Sequence, residues 1–231
     1  MAKNLAVITA RGGSKRIPRK NIKLFLGVPI IKFSIDAALG SGSFDEVMVS
    51  TDDKDIAEIS ASFGANVPFF RSAQTSDDHA TTFDVLEEVV LKYRERGEIF
   101  DHLCCIYPTA PFVTPAKLRH AMTLLLESGA DSVLPVVRFS YPIQRALKIE
   151  GSRAVMFWPE HYSSRSQDLT PAFHDCGQFY CVKIESMLRQ RRLFADNTVP
   201  LEVPELEVQD IDNEADWKLA EIKVQALKHR A

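Results

Sequence analysis

A short basic segment near the amino terminus holds the densest group of residues suited to anion chemistry. Residues 10–21 read ARGGSKRIPRKN, and six Lys or Arg side chains fall between Arg11 and Lys23. The adjacent Gly12 and Gly13 let the backbone turn tightly and approach a ligand closely, and successive backbone N–H groups in such a turn form an anion-binding nest. A triphosphate needs this density of donors, so we interpret the segment as a phosphate-binding loop. The alternative is a solvated basic turn.

Two widespread nucleotide motifs are absent from this loop. It lacks the G-x-x-x-x-G-K-[ST] spacing of the P-loop and the G-x-G-x-x-G fingerprint of dinucleotide-binding proteins. Its position nevertheless favours phosphate binding over a plain turn. The loop directly follows a short apolar run, and open α/β sheets bind nucleotides just beyond the carboxyl ends of their strands.

A pair of acidic residues near the carboxyl terminus is the second candidate for chemistry. In Gln209-Asp210-Ile211-Asp212 the two carboxylates alternate, so on an extended chain both point the same way. Carboxylate oxygens are suitable ligands for Mg²⁺. An acidic helix entrance, with Asp212 or Asn213 as N-cap, is an equally good interpretation of the segment alone. The basic loop elsewhere in the chain favours the metal, because phosphoryl chemistry uses both cationic side chains and a metal ion.

Two further segments follow predicted strands. Arg71 and Ser76 fall in a loop that can contact a base or ribose, although the segment alone favours a capping loop with Thr75 or Asp78 as the helix cap. The sequence YPTAP at 107–111 contains two prolines that fix a rigid turn. It predicts either a wall of the nucleotide or sugar site or simply a stiff loop.

Several arginine and amide side chains lie in polar segments between residues 144 and 178. An arginine can pair bidentately with a sugar carboxylate. His174 beside Asp175 is a candidate general base, although such neighbouring pairs are usually structural. The chain has no Ser-His-Asp order and no zinc-ligand spacing, which argues against a hydrolase or a zinc enzyme. The side chains concerned are those of Gln144, Arg145, Arg165, Gln167 and Gln178.

The elements that must position these residues alternate between strand and helix, which predicts a mostly parallel sheet with helices on both faces. Right-handed crossovers then place ligands at the carboxyl ends of the strands. Strands are predicted at Leu5–Ala10, Glu46–Ser50, near Val67–Phe70, and at Leu103–Tyr107, Ser132–Val137 and Gly177–Ile184. Helices are predicted at Ile30–Leu39, from an N-cap at Asp52 to Phe63, at Thr81–Arg96, from Thr114-Pro115 to Gly129, and at about Glu214–Lys228.

The alternation breaks between Arg138 and Pro171, where aromatic residues, prolines and the polar run YSSRSQD replace it. We interpret this stretch as an excursion from the sheet that serves as a dimerisation arm. No repeat, low-complexity segment or linker interrupts the chain. Residues 1–231 are therefore predicted to form one domain with the arm at 138–171.

The distribution of charge along the chain limits the kinds of partner that this protein is expected to bind. Residues 1–35 carry eight basic and no acidic side chains, whereas the remainder carries 20 basic and 31 acidic ones. This asymmetry predicts one local anionic ligand and argues against nucleic acid as a partner. No signal peptide precedes the first strand and no run approaches the ~18 apolar residues of a membrane span, so we expect a cytoplasmic protein with no membrane partner. Its four cysteines form no C-x-x-C pair and are expected to be buried, reduced thiols.

Taken together, these motifs resemble the cytidylyltransferases of nonulosonic acids, the CMP-sialic acid synthetase group. The resemblance covers about residues 4–220, in which ARGGSKRIPRKN, VSTDD, RSAQTSDD, YPTAP and QDID follow the group's order and spacing. FWPE at 157–160, RSQD at 165–168 and HDCGQFY at 174–180 are most similar to the pseudaminic acid branch. The resemblance implies a Rossmann-like nucleotide-diphospho-sugar transferase fold, a three-layer α/β/α arrangement around a mostly parallel mixed sheet.

The resemblance also implies the reaction and its residues. CTP and a nonulosonic acid would form a CMP-sugar and pyrophosphate in a Mg²⁺-dependent homodimer, with Asp210 and Asp212 holding the metal and Arg11, Lys15 and Asp212 acting in catalysis. The implied nucleotide-binding residues are Ala10, Arg11, Gly12, Gly13, Ser14, Lys15, Lys20, Asn21, Arg71, Ser76 and Pro108. The implied sugar-binding residues are Tyr107, Thr109, Gln144, Arg165, Gln167 and Gln178.

Two residues depart from the sialic acid synthetases. Tyr107 stands where those enzymes usually carry Gln, and Cys176 stands where they carry Asn. Both positions are expected to line the ligand site. The departures count against N-acetylneuraminate as the sugar and leave the reaction type unchanged.

Other functions share parts of this pattern. Asp210-Ile211-Asp212 also reads as the D-x-D motif of a nucleotide-sugar glycosyltransferase, but that motif normally lies mid-chain and such enzymes lack the basic loop. A nucleic-acid-binding module would bind with strong salt dependence, and the acidic remainder argues against it. An inactive homologue kept as a binding protein is disfavoured by the intact loop and acid pair.

Overall fold

The structure, a computed structural model, describes residues 2–77 and 79–228. Its strands are β1 (Asn4–Thr9), β2 (Leu24–Phe25), β3 (Val28–Pro29), β4 (Glu46–Ser50), β5 (His102–Ile106), β6 (Ser132–Arg138), β7 (Leu147–Glu150), β8 (Arg153–Met156), β9 (Phe173–Asp175), β10 (Phe179–Lys183) and β11 (Thr198–Glu202). Its α-helices are α1 (Ile31–Ser41), α2 (Lys54–Ser62), α3 (Thr82–Glu95), α4 (Pro115–Glu127), α5 (Ile184–Gln190) and α6 (Glu214–Lys228). Short 3₁₀ helices lie at Lys20–Ile22, Ala73–Thr75, Ile143–Arg145, Pro159–His161, Ser166–Asp168 and Glu205–Glu207.

The central sheet is mixed and mostly parallel, as predicted. Its strand order is β11-β6-β10-β5-β1-β4, with β9 paired to β6. β1 runs parallel to both β4 and β5, and β6 runs parallel to β11, whereas β10 is antiparallel to its neighbours β5 and β6. Five of the seven strands therefore point in one direction, and their carboxyl ends meet at one edge of the sheet.

The two faces of the sheet are buried under different helices, because side chains alternate along each strand. On β1, Ala6 and Ile8 pack in a cluster with α1, α2 and α4, whereas Leu5 and Val7 pack in a cluster with α3 and α5. A third cluster packs α6 through Trp217 against the segment that follows β1. The predicted three-layer arrangement is confirmed, and the carboxyl-terminal helix supports the basic loop.

The helix starts follow the predicted capping chemistry only in part. Thr114 caps α4 with Pro115 in its first turn, as predicted. The predicted cap at Thr75 is wrong, because Thr81 and Asp84 form a reciprocal capping box at α3. The predicted cap at Asp52 is wrong: Asp53 accepts from the Ile56 N–H and caps α2. The carboxylate of Asp52 is turned away from the helix. The predicted cap at Asp78 lies outside the described residues.

Some predicted strands change their extent, for local reasons. The strand predicted near Val67–Phe70 is wrong, since a single bridge from Met48 to Asn66 is all that forms there. Pro68, which has no N–H to donate, follows this bridge at once. The strand predicted at Gly177–Ile184 is shorter, because Ile184 already begins α5. β11 and α5 were not predicted.

The stretch between β6 and β9 leaves the sheet, as predicted, and forms a hairpin of β7 and β8 that pairs only with itself. Large apolar side chains stand exposed on and beside it, with Tyr141 83% and Ile149 81% accessible. Among the described residues, no helix combines the length and the apolar character needed to cross a membrane. The four cysteines are free and buried, as expected.

Candidate active site

The cavity that collects most of the predicted site residues opens where β1 and β5 end and β10 begins. Its volume is about 500 Å³. The basic loop forms one side, the turn after β5 forms another, and the segment before α6 completes it. It lies at the carboxyl edge of the parallel strands, where sheets of this kind bind ligands. Predicted site residues that line it are Arg11, Gly13, Ser14, Lys15, Lys20, Asn21, Tyr107, Pro108, Thr109, Gln178, Asp210 and Asp212.

The basic loop is held in shape from within. The buried Asn21 side chain donates from Nδ2 to the carbonyl oxygen of Arg11 at 2.8 Å, and Ser14 Oγ donates to the carbonyl oxygen of Ile17. Ile17 is itself buried against the α6 cluster. Asn21 therefore fixes the loop backbone, which is an indirect way to orient a phosphate.

Gly12 lies too close to Asp53 for a side chain to be accommodated at this position. Its N–H donates to Asp52 Oδ1 at 2.8 Å, and a Cβ at this position would lie 2.8 Å from Asp53 Oδ2. A Cβ on Gly13 would meet nothing within 4 Å. Gly12 is thus required for the close approach of the loop to the start of α2, while Gly13 faces open space in the cavity.

The six cations predicted to bind phosphate do not all face the cavity. Arg19 turns away to Asp53 and Asp55, at 3.1 and 2.8 Å. Lys23 pairs with Glu214 and lies 4.7 Å above the Trp217 ring. The remaining four, which line the cavity, are Arg11, Lys15, Arg16 and Lys20.

The acid pair stands directly opposite these cations. Arg16 Nη2 lies 2.7 Å from Asp212 Oδ1, and Lys20 Nζ donates to the carbonyl oxygen of Ile211 at 2.7 Å. Both contacts join residues that are more than 190 positions apart in the chain. The fold therefore brings the predicted phosphate loop and the predicted metal carboxylates to one cavity.

The alternative interpretation, a helix entrance capped by Asp212 or Asn213, is confirmed for Asn213, whereas the Asp212 side chain does not cap α6. Asn213 Oδ1 accepts from the N–H groups of Ala215 and Asp216, at 2.8 and 3.0 Å. The carboxylate of Asp216 accepts in return from the N–H groups of Asp212 and Asn213. This reciprocal arrangement satisfies the helix start. The Asp210 and Asp212 carboxylates remain at the cavity.

Lys20 is a partly buried cation of the site, and its pKa is shifted. Burial lowers its pKa from the ordinary lysine value, and the nearby Asp212 and Asp210 carboxylates oppose that change without cancelling it. The ammonium is therefore partly desolvated, which strengthens its interaction with the carbonyl oxygen and carboxylates beside it.

The wall opposite the loop is braced by two tyrosines. The Tyr107 and Tyr180 rings meet edge to face at 5.6 Å, and the Tyr180 hydroxyl donates to Asp175 Oδ2. Asp175 Oδ1 also accepts from the Gly177 N–H at 2.8 Å. Burial raises the pKa of Tyr180 well above the ordinary phenol value, so it stays a proton donor. This brace fixes the turn that leads to Gln178.

Gln178 and Cys176 flank that turn on different sides. Gln178 lines the cavity, and its Nε2 donates to the carbonyl oxygen of Glu207 at 2.7 Å, which ties the wall to the segment before the acid pair. Cys176 is buried in the core and does not line the cavity, which corrects the expectation that it would. Burial raises the pKa of its thiol to about 12.

Arg71 lies in a smaller neighbouring cavity of about 240 Å³, which shares Thr9 and Arg11 with the main one. Its guanidinium donates to Ser50 Oγ at 3.1 Å and to the Ser50 carbonyl oxygen at 2.7 Å. Burial lowers the pKa of Arg71. The hydroxyl of Ser76 donates to the Ser72 carbonyl oxygen at 2.7 Å and lines neither cavity. The buried Ala10 donates its N–H to the same Ser50 carbonyl.

Three predicted sugar-binding residues lie on the arm, away from the main cavity. Gln144 Nε2 donates to the Thr170 carbonyl oxygen at 2.9 Å, and Arg165 pairs with Asp168 at 2.7 Å. Gln167 lines a separate cavity of about 200 Å³ within the arm. The single chain does not bring these residues to the main cavity.

Arg16 and Gln209 also line the cavity, although the sequence analysis gave neither an individual role. Arg16 was counted among the loop cations, but its contact with Asp212 depends on the fold. Gln209 also lines the cavity, and its position beside the acid pair was the available signal. Among residues 2–77 and 79–228, no group of three or more His, Cys, Asp or Glu side chains is arranged to hold a metal. A metal at the acid pair would therefore take its other ligands from substrate or water.

A comparison with known families agrees with this site. The family model described as "Cytidylyltransferase" matches residues 5–169, which is more than half of the chain. The chain therefore belongs to the cytidylyltransferase family, a class of nucleotidyltransferases.

Individual relatives extend the likeness along the chain. The pseudaminic acid cytidylyltransferase of Campylobacter jejuni subsp. jejuni serotype O:2 is 42% identical over 221 residues, 95% of either chain. The CMP-N,N'-diacetyllegionaminic acid synthase of Legionella pneumophila is 33% identical over 224 residues, 94% of either chain. A solved CMP:2-keto-3-deoxy-manno-octonic acid synthetase in complex with CTP matches 99% of this chain and 100% of its own, with a TM-score of 0.69. At 18% identity that match shows the fold alone, and it confirms the predicted fold class.

Proposed function

We propose that this protein transfers CMP from CTP to a nonulosonic acid and releases pyrophosphate. The observation that carries the proposal is the meeting of four cations and two carboxylates at one cavity of about 500 Å³, at the carboxyl edge of the sheet. Cations neutralise a triphosphate, and carboxylates recruit a metal to the same phosphates. Membership of the cytidylyltransferase family supports the nucleotide, and the relatives support the class of acid.

We propose Mg²⁺ as the metal, held by Asp210 and Asp212. The donor set fits, because both carboxylates line the cavity and Asp212 already attracts the Arg16 cation at 2.7 Å. Two protein carboxylates are a common number for Mg²⁺, which keeps waters and takes phosphate oxygens for the rest. When bound, the ion would supply charge neutralisation at the phosphates.

The protein's own residues would act mainly by positioning and by charge. Arg11, Lys15 and Arg16 would hold the β- and γ-phosphates, with the backbone of Gly13 open toward them. The anomeric hydroxyl of the sugar would attack the α-phosphorus in line, forming the new P–O bond as the bond to pyrophosphate breaks. The cations would stabilise the charge that develops on the leaving pyrophosphate.

Among the nonulosonic acids we propose pseudaminic acid as the substrate. The Campylobacter jejuni relative of that name is 42% identical, against 33% for the legionaminic acid synthase. A N-acylneuraminate cytidylyltransferase A of Danio rerio is 37% identical, and this chain spans 50% of it. Tyr107, the departure from the sialic acid synthetases that does line the cavity, also supports a different acid.

A cytoplasmic homodimer remains part of this proposal. The exposed apolar residues of the arm, including Tyr141 and Ile149, are of the kind that a subunit interface covers. A second copy that covers this arm would place Gln144, Arg165 and Gln167 near the site of its partner. Size-exclusion chromatography with light scattering tests the expectation. A mass near 52 kDa, twice the 25.9 kDa of one chain, supports it, and a monomer at micromolar concentration contradicts it.

Pyrophosphate release is the experiment that tests the function. The purified protein is incubated with CTP, Mg²⁺ and a panel containing pseudaminic, legionaminic and N-acetylneuraminic acids. Turnover with pseudaminic acid alone supports the whole proposal, and turnover with another member keeps the reaction and changes the sugar. Absence of turnover across the panel with a folded protein refutes the proposal and favours the glycosyltransferase alternative, which releases no pyrophosphate from a free triphosphate.

A further inference from the structure

A second cavity lies beyond Asp210, on the side away from the basic loop. It has a volume of about 250 Å³, and we call it the acid cavity. Gln209 and Asp210 line both this cavity and the main one, whereas no residue of the basic loop lines it. The end of β6 at Arg138 and Phe139, together with His174, forms its other side. The wall at Asp210 therefore separates two compartments.

The geometry of in-line displacement indicates that the two cavities hold different substrates. In an in-line displacement the attacking oxygen approaches the phosphorus from the side opposite to the leaving group. The leaving pyrophosphate would be held by the loop cations, all four of which line the main cavity and none of which lines the acid cavity. The attacking substrate must then enter from the other side of Asp210, and the acid cavity is the space found there.

The side chains of the acid cavity suit an amphipathic anion. Arg138 is exposed at the end of β6, and its side chain makes no hydrogen bond or ion pair within residues 2–77 and 79–228. The Phe139 ring packs against the His174 ring at 4.7 Å. His174 Nδ1 lies 2.9 Å from the Asp175 carbonyl oxygen. That oxygen can only accept, so Nδ1 carries a proton.

The charges of the acid cavity favour a carboxylate once the metal is in place. Two basic side chains, Arg138 and Lys223, and two acidic side chains, Glu205 and Asp210, line the cavity. Lys223 Nζ donates to the Val208 carbonyl oxygen at 2.7 Å, which fixes its position in the wall. If Asp210 is committed to Mg²⁺, its negative charge no longer opposes an anion, and the remaining balance is positive.

We propose that the acid cavity binds the sugar acid, with Arg138 pairing with its carboxylate and Phe139 packing against an acyl methyl group. This inference rests on the proposed function. In a nonulosonic acid the carboxylate and the attacking anomeric hydroxyl are attached to the same carbon. Both must therefore lie close to Asp210, and Arg138 is the arginine of the cavity that Asp210 shares.

The test is to measure, in the whole protein, how each substitution changes KM for the sugar acid and KM for CTP. Arg138→Ala should raise KM for the sugar acid at least about tenfold, because a charge-assisted hydrogen bond is lost, while KM for CTP stays within about twofold. Arg138→Lys should restore part of the loss. Phe139→Ala should raise KM severalfold for N-acylated acids and less for an acid without acylamino groups.

Matched controls come from exposed residues outside both cavities. Arg94→Ala on α3 and Phe194→Ala should change neither constant. If Arg138→Ala raises KM for CTP as much as for the acid, or changes neither constant, the assignment of the acid cavity is wrong. Failure of the proposed function shows differently, as a wild-type protein that turns over none of the acids. Because Arg138 is exposed, its variant tests the inference even if Phe139→Ala fails to fold.

Discussion

Replacement of Lys20 by methionine separates the catalytic from the structural contribution of this buried cation. The change keeps the length of the side chain and removes the ammonium, which donates at 2.7 Å to the carbonyl oxygen of Ile211, the residue between the two carboxylates proposed to hold Mg²⁺. Loss of a hydrogen bond from a charged group costs about 1.5–3 kcal/mol. If that interaction holds the acid pair in its productive position, kcat/KM should fall about 10- to 150-fold.

The folding stability should change much less than turnover. The pKa of Lys20 is lowered, chiefly by burial, so the protonated form is less favourable in the folded chain than in the unfolded one. As the pH rises through the folded pKa toward the ordinary value, stability therefore increases, because the folded chain sheds a proton that it holds poorly. At neutral pH, Lys20→Met removes this unfavourable charge together with the hydrogen bond to Ile211, so the two effects on stability oppose each other and Tm should change little.

Two measurements check the reasoning: pyrophosphate release across a Mg²⁺ titration, and the thermal unfolding midpoint. Lys23→Met is the matched control, since Lys23 pairs with Glu214 and lies over Trp217 outside the main cavity. It should lower Tm slightly and leave turnover unchanged. Unchanged turnover in Lys20→Met, or a fall in Tm of many degrees, would refute the assignment of Lys20 as a cation that serves the site rather than stability.

Three other substitutions have defined outcomes. Asp212→Asn should lower turnover more than about 100-fold by weakening the proposed metal site; rescue of full activity by excess Mg²⁺ would indicate weakened binding alone, and normal activity without it contradicts the role. Gly12→Ala should displace Asp53, the α2 cap, because the new Cβ lies 2.8 Å from Asp53 Oδ2; loss of about 1 kcal/mol should lower Tm by about 2–4 °C, whereas Gly13→Ala leaves Tm unchanged. Tyr180→Phe should lower Tm and raise KM for the sugar acid severalfold, equally at pH 6 and pH 9, because the raised pKa keeps the phenol protonated; a pH-dependent effect contradicts the brace.

The local features of this protein could be predicted because their causes are local. Thr81 with Asp84, and Thr114 with Pro115, specify helix starts through groups within one turn of each other. Buried strands such as β1 and β5 appear as short apolar runs between turn residues. The order of strands and helices then indicates a mostly parallel sheet, and the basic loop after the first strand indicates where an anion binds.

Where the prediction failed, a competing contact decided the outcome. The sequence predicted Asp52 as the α2 cap, but in the fold Asp52 accepts from the Gly12 N–H and its neighbour Asp53 caps the helix. Cys176, expected at the ligand site, faces the core instead. Neither outcome follows from propensity, because each depends on a residue that arrives from another element.

The sequence by itself determined the chemistry available to this protein: a loop rich in cations, an acid pair and the sheet that presents them. Only the tertiary structure decided which of those groups meet. It placed Arg16 2.7 Å from Asp212, directed Arg19 and Lys23 to other partners, and kept Gln144 and Arg165 on the arm. The physical reason is that charges act over a few ångströms in space, while the residues that carry them are separated by nearly the whole length of the chain.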